Sequence, residues 1–268
     1  MTVFQAFTAG ARRVHRAPAV LLSVWLLTIL ISPPLALTAP ILTPLLGELH
    51  RPAILVGAAS AYVALWLFLA GGILDRYARD RATRAHGFFG VTGVFFFRFL
   101  RLAVIMGAAY AILVGLIRPW LLARLSHWLT HDALDAVFDV LVAGGAVIFD
   151  YAQVRAVVED RRSMIGAIGA SVNFVRHAPA ALALYVLDLA LFLLLVAGYV
   201  VAAPEARGES RWLGFAIEQG YIFARVWFKL VFWASETALF QSRLAHAGYV
   251  AAPAVAWPES PAAEPFRN

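Results

Sequence analysis

The sequence predicts an all-α fold, a polytopic transmembrane helical bundle, and three observations carry that prediction. Hydrophobic residues make up 62% of the 268-residue chain and charged residues 14%, with a mean hydropathy of +0.77. Too few polar side chains remain to cover a soluble particle of 29.2 kDa, which excludes a soluble enzyme or nucleic-acid reader. Six apolar runs, at 18–38, 52–74, 98–118, 134–156, 178–202 and 213–240, each reach the roughly 20 residues that one crossing requires. Finally, the arginines gather at the ends of those runs. The formal charge of +6 therefore reads as attraction to anionic lipid head groups, with no nucleic-acid partner implied. Cysteine is absent, so no disulfide, thiolate nucleophile or Cys-ligated metal exists.

The first element is an elbow at 3–17. Phe4, Phe7, Ala11 and Val14 recur at helical spacing while Arg12, Arg13 and Arg16 fall elsewhere on the wheel, the pattern of a helix lying in the membrane interface. Two further elbows are expected: 86–101, rich in phenylalanine, and 161–177. Pro18 and Pro179 stand at the mouths of spans one and five, where a missing N–H costs little. Span one continues well beyond a signal-peptide core, and Pro40 follows Ala39 at the small-residue position, so a retained anchor is expected. Ser32-Pro33-Pro34 should end or kink it. The stretch from Pro119 to His131 carries Trp120, Leu121, Leu122, Leu125 and Trp128 and reads as another interfacial helix. Residues 1–246 form the membrane domain. Residues 247–268, with Pro253, Pro258, Pro261 and Pro265, are expected to be a flexible cytoplasmic tail.

Orientation follows from the basic residues. One side holds fifteen arginines (12, 13, 16, 76, 79, 81, 84, 98, 101, 155, 161, 162, 176, 243 and 267) and the other five (51, 118, 124, 207 and 211). That asymmetry places both termini in the cytoplasm of a multi-pass inner-membrane protein, and Trp120, Trp128 and Trp212 at the outer span ends agree with it.

The segment Val14-His15-Arg16-Ala17-Pro18-Ala19 returns as Val175-Arg176-His177-Ala178-Pro179-Ala180, and Arg13 and Arg16 match Arg98 and Arg101. Three units of elbow plus hairpin would explain the pattern. The alternative is that arginine-flanked apolar helices resemble one another by composition. Gly71-Gly72 and Gly144-Gly145 read as positions of close helix packing.

Phe7 to Pro18, Ala70-Gly71-Gly72-Ile73-Leu74, Phe149 to Arg155, Val157 to Arg162 and Phe174-Val175-Arg176 together resemble a group of uncharacterised bacterial six-helix integral membrane proteins. That group is distantly similar to the membrane domain of some glycerophosphodiester phosphodiesterases. The resemblance spans most of 4–245 and implies the fold. It implies no activity.

Span six carries the most informative pattern. Glu218, Arg225, Lys229, Glu236 and Arg243 lie within about 20° of one line on a helical wheel. Arg225 and Lys229 stand near mid-span, where a charge facing lipid is expensive, so the stripe should face protein or water. Span four offers Asp135, Asp139 and Asp150 with Gln153 on one face, and span five offers Asp188. Asp150 and Asp188 fall near the depth of Arg225 and Lys229, and pairing them would leave the interior nearly neutral. The candidate intramembrane polar site is thus Asp150, Asp188, Glu218, Arg225, Lys229 and Glu236. It can be an ion-pair seam, a solute or proton pathway, or a head-group site. His127 and His131 are spaced for zinc, but two ligands without a His-Glu-x-x-His glutamate do not make a metal site. No catalytic or cofactor-binding residues are identified. The sequence points to a transporter-like or accessory component for a small or lipidic solute, the alternative being a structural scaffold or assembly partner for another membrane protein.

Overall fold

The computed structural model describes residues 1–31, 51–80, 85–125 and 130–246. All of the secondary structure among them is helical. In chain order the helices are α1 (Val3–His15), α2 (Pro18–Ile31), α3 (Arg51–Arg79) and α4 (Ala85–Tyr110). A π-helical segment (Ala111–Ile117) leads into α5 (Arg118–Leu125), and α6 (His131–Val158), α7 (Met164–His177), α8 (Pro179–Glu209) and α9 (Arg211–His246) complete the fold. The Ser-Pro-Pro turn expected at 32–34 and the tail at 247–268 lie outside the described residues.

Among the described residues, three helical stretches are long and apolar enough to cross a membrane: Ala59–Arg79, Ala85–Leu125 and Pro179–Ala203. The bent pair α1 plus α2 makes a fourth if it is counted as one span. The chain is a membrane protein by this measure. Helices α6 and α9 fall outside the set, and they are the two that carry the acidic run 132–150 and the stripe 218–243.

Local chemistry sets the helix ends. Thr2 and Gln5 form a capping box at the start of α1: the Thr2 hydroxyl accepts from Gln5 N–H at 3.3 Å, and Gln5 Oε1 accepts from Thr2 N–H at 2.9 Å. Thr130 and Ser163 cap α6 and α7. Pro18 and Pro179 supply no N–H to continue a preceding helix, and the chain breaks before each; α1 and α2 meet at 80°. Two of the three expected elbows are therefore separate helices. The middle one is not, because 86–101 contains no proline and α4 runs on unbroken from Ala85 into the apolar stretch. Helices α3 and α6 each end at an aspartate in the left-handed region, Asp80 (φ 46°) and Asp160 (φ 47°), a conformation that aspartate tolerates better than most side chains.

Helix α9 is the central strut, packed against α1, α2, α3, α6 and α8. The core concentrates toward the arginine-rich end, where Ile73, Leu74, Tyr77, Phe99, Tyr151, Leu184, Leu230, Leu239 and Phe240 are all buried. Outward faces are apolar: Leu22, Leu26 and Leu30 on α2, and Val186, Leu189, Leu193 and Val200 on α8, are exposed. In a soluble protein such patches would be a liability, whereas in a bilayer they are the contact with lipid.

Close approach is bought with small residues at particular positions. A Cβ on Gly10 would sit 2.1 Å from Ser235 Oγ, so α1 lies directly on the α9 backbone through Ala6, Gly10 and Val14. Gly71 and Gly72 seat α3 against Phe95 and Thr92 of α4, and Gly145 receives the Tyr110 side chain. Gly144 has open space around it, so the packing reading holds for three of the four paired glycines.

Candidate functional site

At the arginine-rich end, the elbow residues act on protein as well as on any head groups. Arg13 donates to the Tyr77 carbonyl at 3.0 Å and to Gln241 Oε1 at 3.1 Å, while Gln241 Nε2 donates to the Ala78 carbonyl at 2.8 Å. These bonds satisfy carbonyls at the end of α3, which would otherwise lack partners. Arg16 meets Asp80 at 3.1 Å, and Arg98 of α4 meets Asp160 at 2.6 Å. Of the stripe assigned to the interface on α1, Phe4 is exposed but Val14 is fully buried, so only part of that face is free for lipid.

Deeper in the bundle, α6, α8 and α9 bring together most of the polar site expected from sequence. Lys229 Nζ approaches Asp150 Oδ1 at 3.4 Å. Trp233, one turn further along α9, donates its indole N–H to the same oxygen at 3.3 Å and lies under the Lys229 ammonium, 4.7 Å from ring centroid to Nζ. The pair is anchored by an edge-on contact between Trp233 and Trp66 of α3 at 5.5 Å. Asp188 of α8 and Glu236 of α9 are each only 2% exposed and lie within electrostatic reach of both Asp150 and Lys229. Among the described residues, neither Asp188 oxygen has a hydrogen-bond partner, and Glu236 Oε2 has none. Tyr151, electrostatically linked to all three carboxyl groups, has its hydroxyl buried and unpartnered as well. Gln153 Oε1 and Ser171 Oγ are two more buried atoms without partners.

Three carboxyl groups thus surround one ammonium. Buried polar atoms are normally paired with protein or with water, so a cluster of them without protein partners marks a place for a water, a proton or a polar group of a solute. Chemically the cluster can hold a proton, a cation or a polar group of a solute. It contains no nucleophile with a matching base, and no group of three or more His, Asp or Glu side chains among the described residues could hold a metal ion.

The remaining expectations divide. Glu218 is buried near the other end of α9. Arg225 is exposed and joins neither aspartate, which corrects the expectation that the whole stripe faces inward. Lys229 and Arg225 lie about 40° apart on the wheel and one turn apart along it, and it is Lys229 that falls on the side facing Asp150 of α6. Asp135 belongs to a different pair, accepting from Arg118 Nε and Nη2 at 3.0 and 2.7 Å, and Asp139 is exposed. His127 and the side chain of His131 lie outside the described residues. Sequence reasoning missed Trp233 and Tyr151. Trp233 was findable, since it follows Lys229 by four residues and so shares its face.

Comparison with protein-family models, with curated proteins and with solved structures finds no match to this chain.

Proposed function

We propose that the chain is a multi-pass protein of a bacterial inner membrane with both termini cytoplasmic, and that the α6–α8–α9 cluster is the site through which it handles a small or lipidic solute. Six crossings are proposed, arranged as three elbow-and-hairpin units. The pairs Arg16–Asp80 and Arg98–Asp160 support a repeat whose register is shifted by three residues from the sequence match, since each joins an early arginine to the left-handed aspartate that follows a helix and Arg98 here stands in the place of Arg16, not of Arg13. The resemblance to six-helix membrane proteins supports the crossing count and supplies no activity.

One observation carries the functional reading: Asp188 is buried with both carboxyl oxygens unpartnered beside an ion pair that is already complete. A scaffold gains nothing from such a group, because an aliphatic side chain would pack there without desolvation cost. A transporter uses it to meet a solute or proton.

Because the chain has no cysteine, the test is clean. In membranes, the Asp188→Cys variant is exposed to a small cationic thiosulfonate reagent, with Leu193→Cys on the outer face of α8 as the lipid-facing control. Thiolate chemistry needs water, so a rate at Asp188→Cys well above the control shows an aqueous path to the cluster. A rate no higher than the control would favour the scaffold reading, with Asp150, Lys229 and Trp233 as a dry seam.

A further inference from the structure

A cavity of about 280 Å³ lies at the arginine-rich end, walled by Arg155 of α6, Asn173, Phe174 and His177 of α7, and Arg243 of α9. Its position is telling. At the ends of α3 and α6, an arginine from an earlier helix is met by a left-handed aspartate. At the corresponding end of α9, residues 239–246 contain no acid, and Arg243 makes no hydrogen bond or ion pair among the described residues. Nearby charge is positive in excess, because Glu159 is shared by Arg155, at 2.9 Å, and Arg161.

The lining is rich in donors and poor in free acceptors. The Ala170 carbonyl accepts from Arg155 Nη1 at 2.6 Å, the Asn173 carbonyl accepts from His177 Nδ1 at 2.8 Å, and the Phe174 carbonyl accepts from Ala178 N–H at 2.9 Å. Among the described residues, Arg155 Nη2, the Asn173 side-chain amide and the whole Arg243 guanidinium have no partner. Arg155 is held in place by its bonds to Glu159 and Ala170 and by stacking over Phe240 at 5.3 Å, so its free edge is already oriented. Two guanidinium groups and an amide around one opening suit tetrahedral oxyanions, which take several charge-assisted hydrogen bonds at once. A cation would find the Asn173 amide oxygen and the second ring nitrogen of His177 as its only neutral acceptors, set against two guanidinium charges and carbonyls already bonded.

We propose that this cavity binds a phosphate group, with Arg243 as the principal ligand and Arg155 and Asn173 as supporting donors. The shared chemistry is the phosphate oxyanion, whether carried by an anionic lipid or free in solution. The site is distinct from the interior carboxyl cluster and stands whether or not that cluster handles a solute.

The experiment is a thermal-shift titration of the full chain in neutral detergent, with short-chain phosphatidylglycerol, short-chain phosphatidylcholine and inorganic phosphate as separate probes. Saturable stabilisation by phosphatidylglycerol alone assigns the site to an anionic lipid, and stabilisation by inorganic phosphate assigns it to a free anion. In either case Arg243→Gln should raise the half-saturating concentration about tenfold, the usual effect of losing one charge-assisted contact. Arg101→Gln, an exposed arginine of α4 away from the cavity, should change it less than about twofold if attraction is local rather than general. If Arg243→Gln does not fold, Asn173→Ala, on another helix, should weaken the same probe in the same direction. No saturable response to either phosphate probe, or equal losses in Arg243→Gln and Arg101→Gln, would overturn the proposal.

Discussion

Asp150 and Asp188 lie near the same depth and share Lys229 as a neighbour, yet substitution should affect them differently. Asp150 has a cation and an indole N–H on one oxygen, and Asp188 has no hydrogen-bond partner among the described residues. Breaking a fully buried pair costs roughly 3–5 kcal/mol, but the Lys229 side chain is 36% exposed, so a coupling of about 1–2 kcal/mol is the appropriate expectation. Asp150→Asn and Lys229→Met should each lower the melting temperature in detergent, with the double variant recovering that coupling; strict additivity would reject the pair. Asp188→Asn should leave the melting temperature unchanged or higher, since no bond is lost. A fall as large as that of Asp150→Asn would mean that Asp188 has a structural partner. Pairing of Arg225 or Lys229 with Asp150 or Asp188 was legible because charge, depth and helical angle all appear in a sequence, but which of the four combinations forms was not. Trp233 and Tyr151 escaped because neither carries a formal charge, and Arg13 was misread because a guanidinium facing lipid phosphate and one facing a helix end look alike in one dimension.

Helix α1 illustrates what periodicity reveals and what it conceals. Its amphipathic pattern and capping box specify a helix starting at Val3, and Pro18 specifies its end. Which partner its small face meets is not written in that pattern. Ala6, Gly10 and Val14, at intervals of four, are covered by α9 and not by lipid. For a Cβ at Gly10, the obstacle is the Ser235 backbone as well as its hydroxyl, with N and Cα at 2.6 and 2.9 Å, so no rotamer change relieves the clash. Gly10→Ala should therefore destabilise by about 1–3 kcal/mol, the usual cost of overpacking, measured as a lower melting temperature. Gly144→Ala, in open space within α6, should be neutral or slightly stabilising through helix propensity. Equal effects at the two positions would contradict the direct seating of α1 on α9. The middle elbow shows the converse: aromatic residues and arginines suggested a separate interfacial helix, but without a proline nothing in the chain terminates α4 there.

Among the described residues, hydropathy identifies three crossing helices, or four with the bent pair, and α6 and α9 are not in that set. Connectivity argues for including them in the proposed topology. Only Ser210 separates α8 from α9, and the two pack extensively, so α9 must return antiparallel along the helix it follows. Helix α8 has 31 residues and α9 has 36, about 46 and 54 Å at 1.5 Å per residue, and both exceed a hydrocarbon core of roughly 30 Å. If α8 crosses, α9 occupies the same thickness, and its mid-span lysine is tolerable there because Asp150 of α6 meets it. This predicts alternating sides: topology reporters fused after residues 81 and 161 should be active in the cytoplasm, and those fused after 128 and 208 outside it. The basic side of the chain agrees, since Arg76, Arg79, Arg81, Arg84, Arg161 and Arg162 flank the first pair of positions. A reporter after 208 on the same side as one after 161 would remove α8 from the crossing set. The placement of the Asp150–Lys229 pair at mid-membrane depth would then lose its warrant, and the six-crossing topology with it.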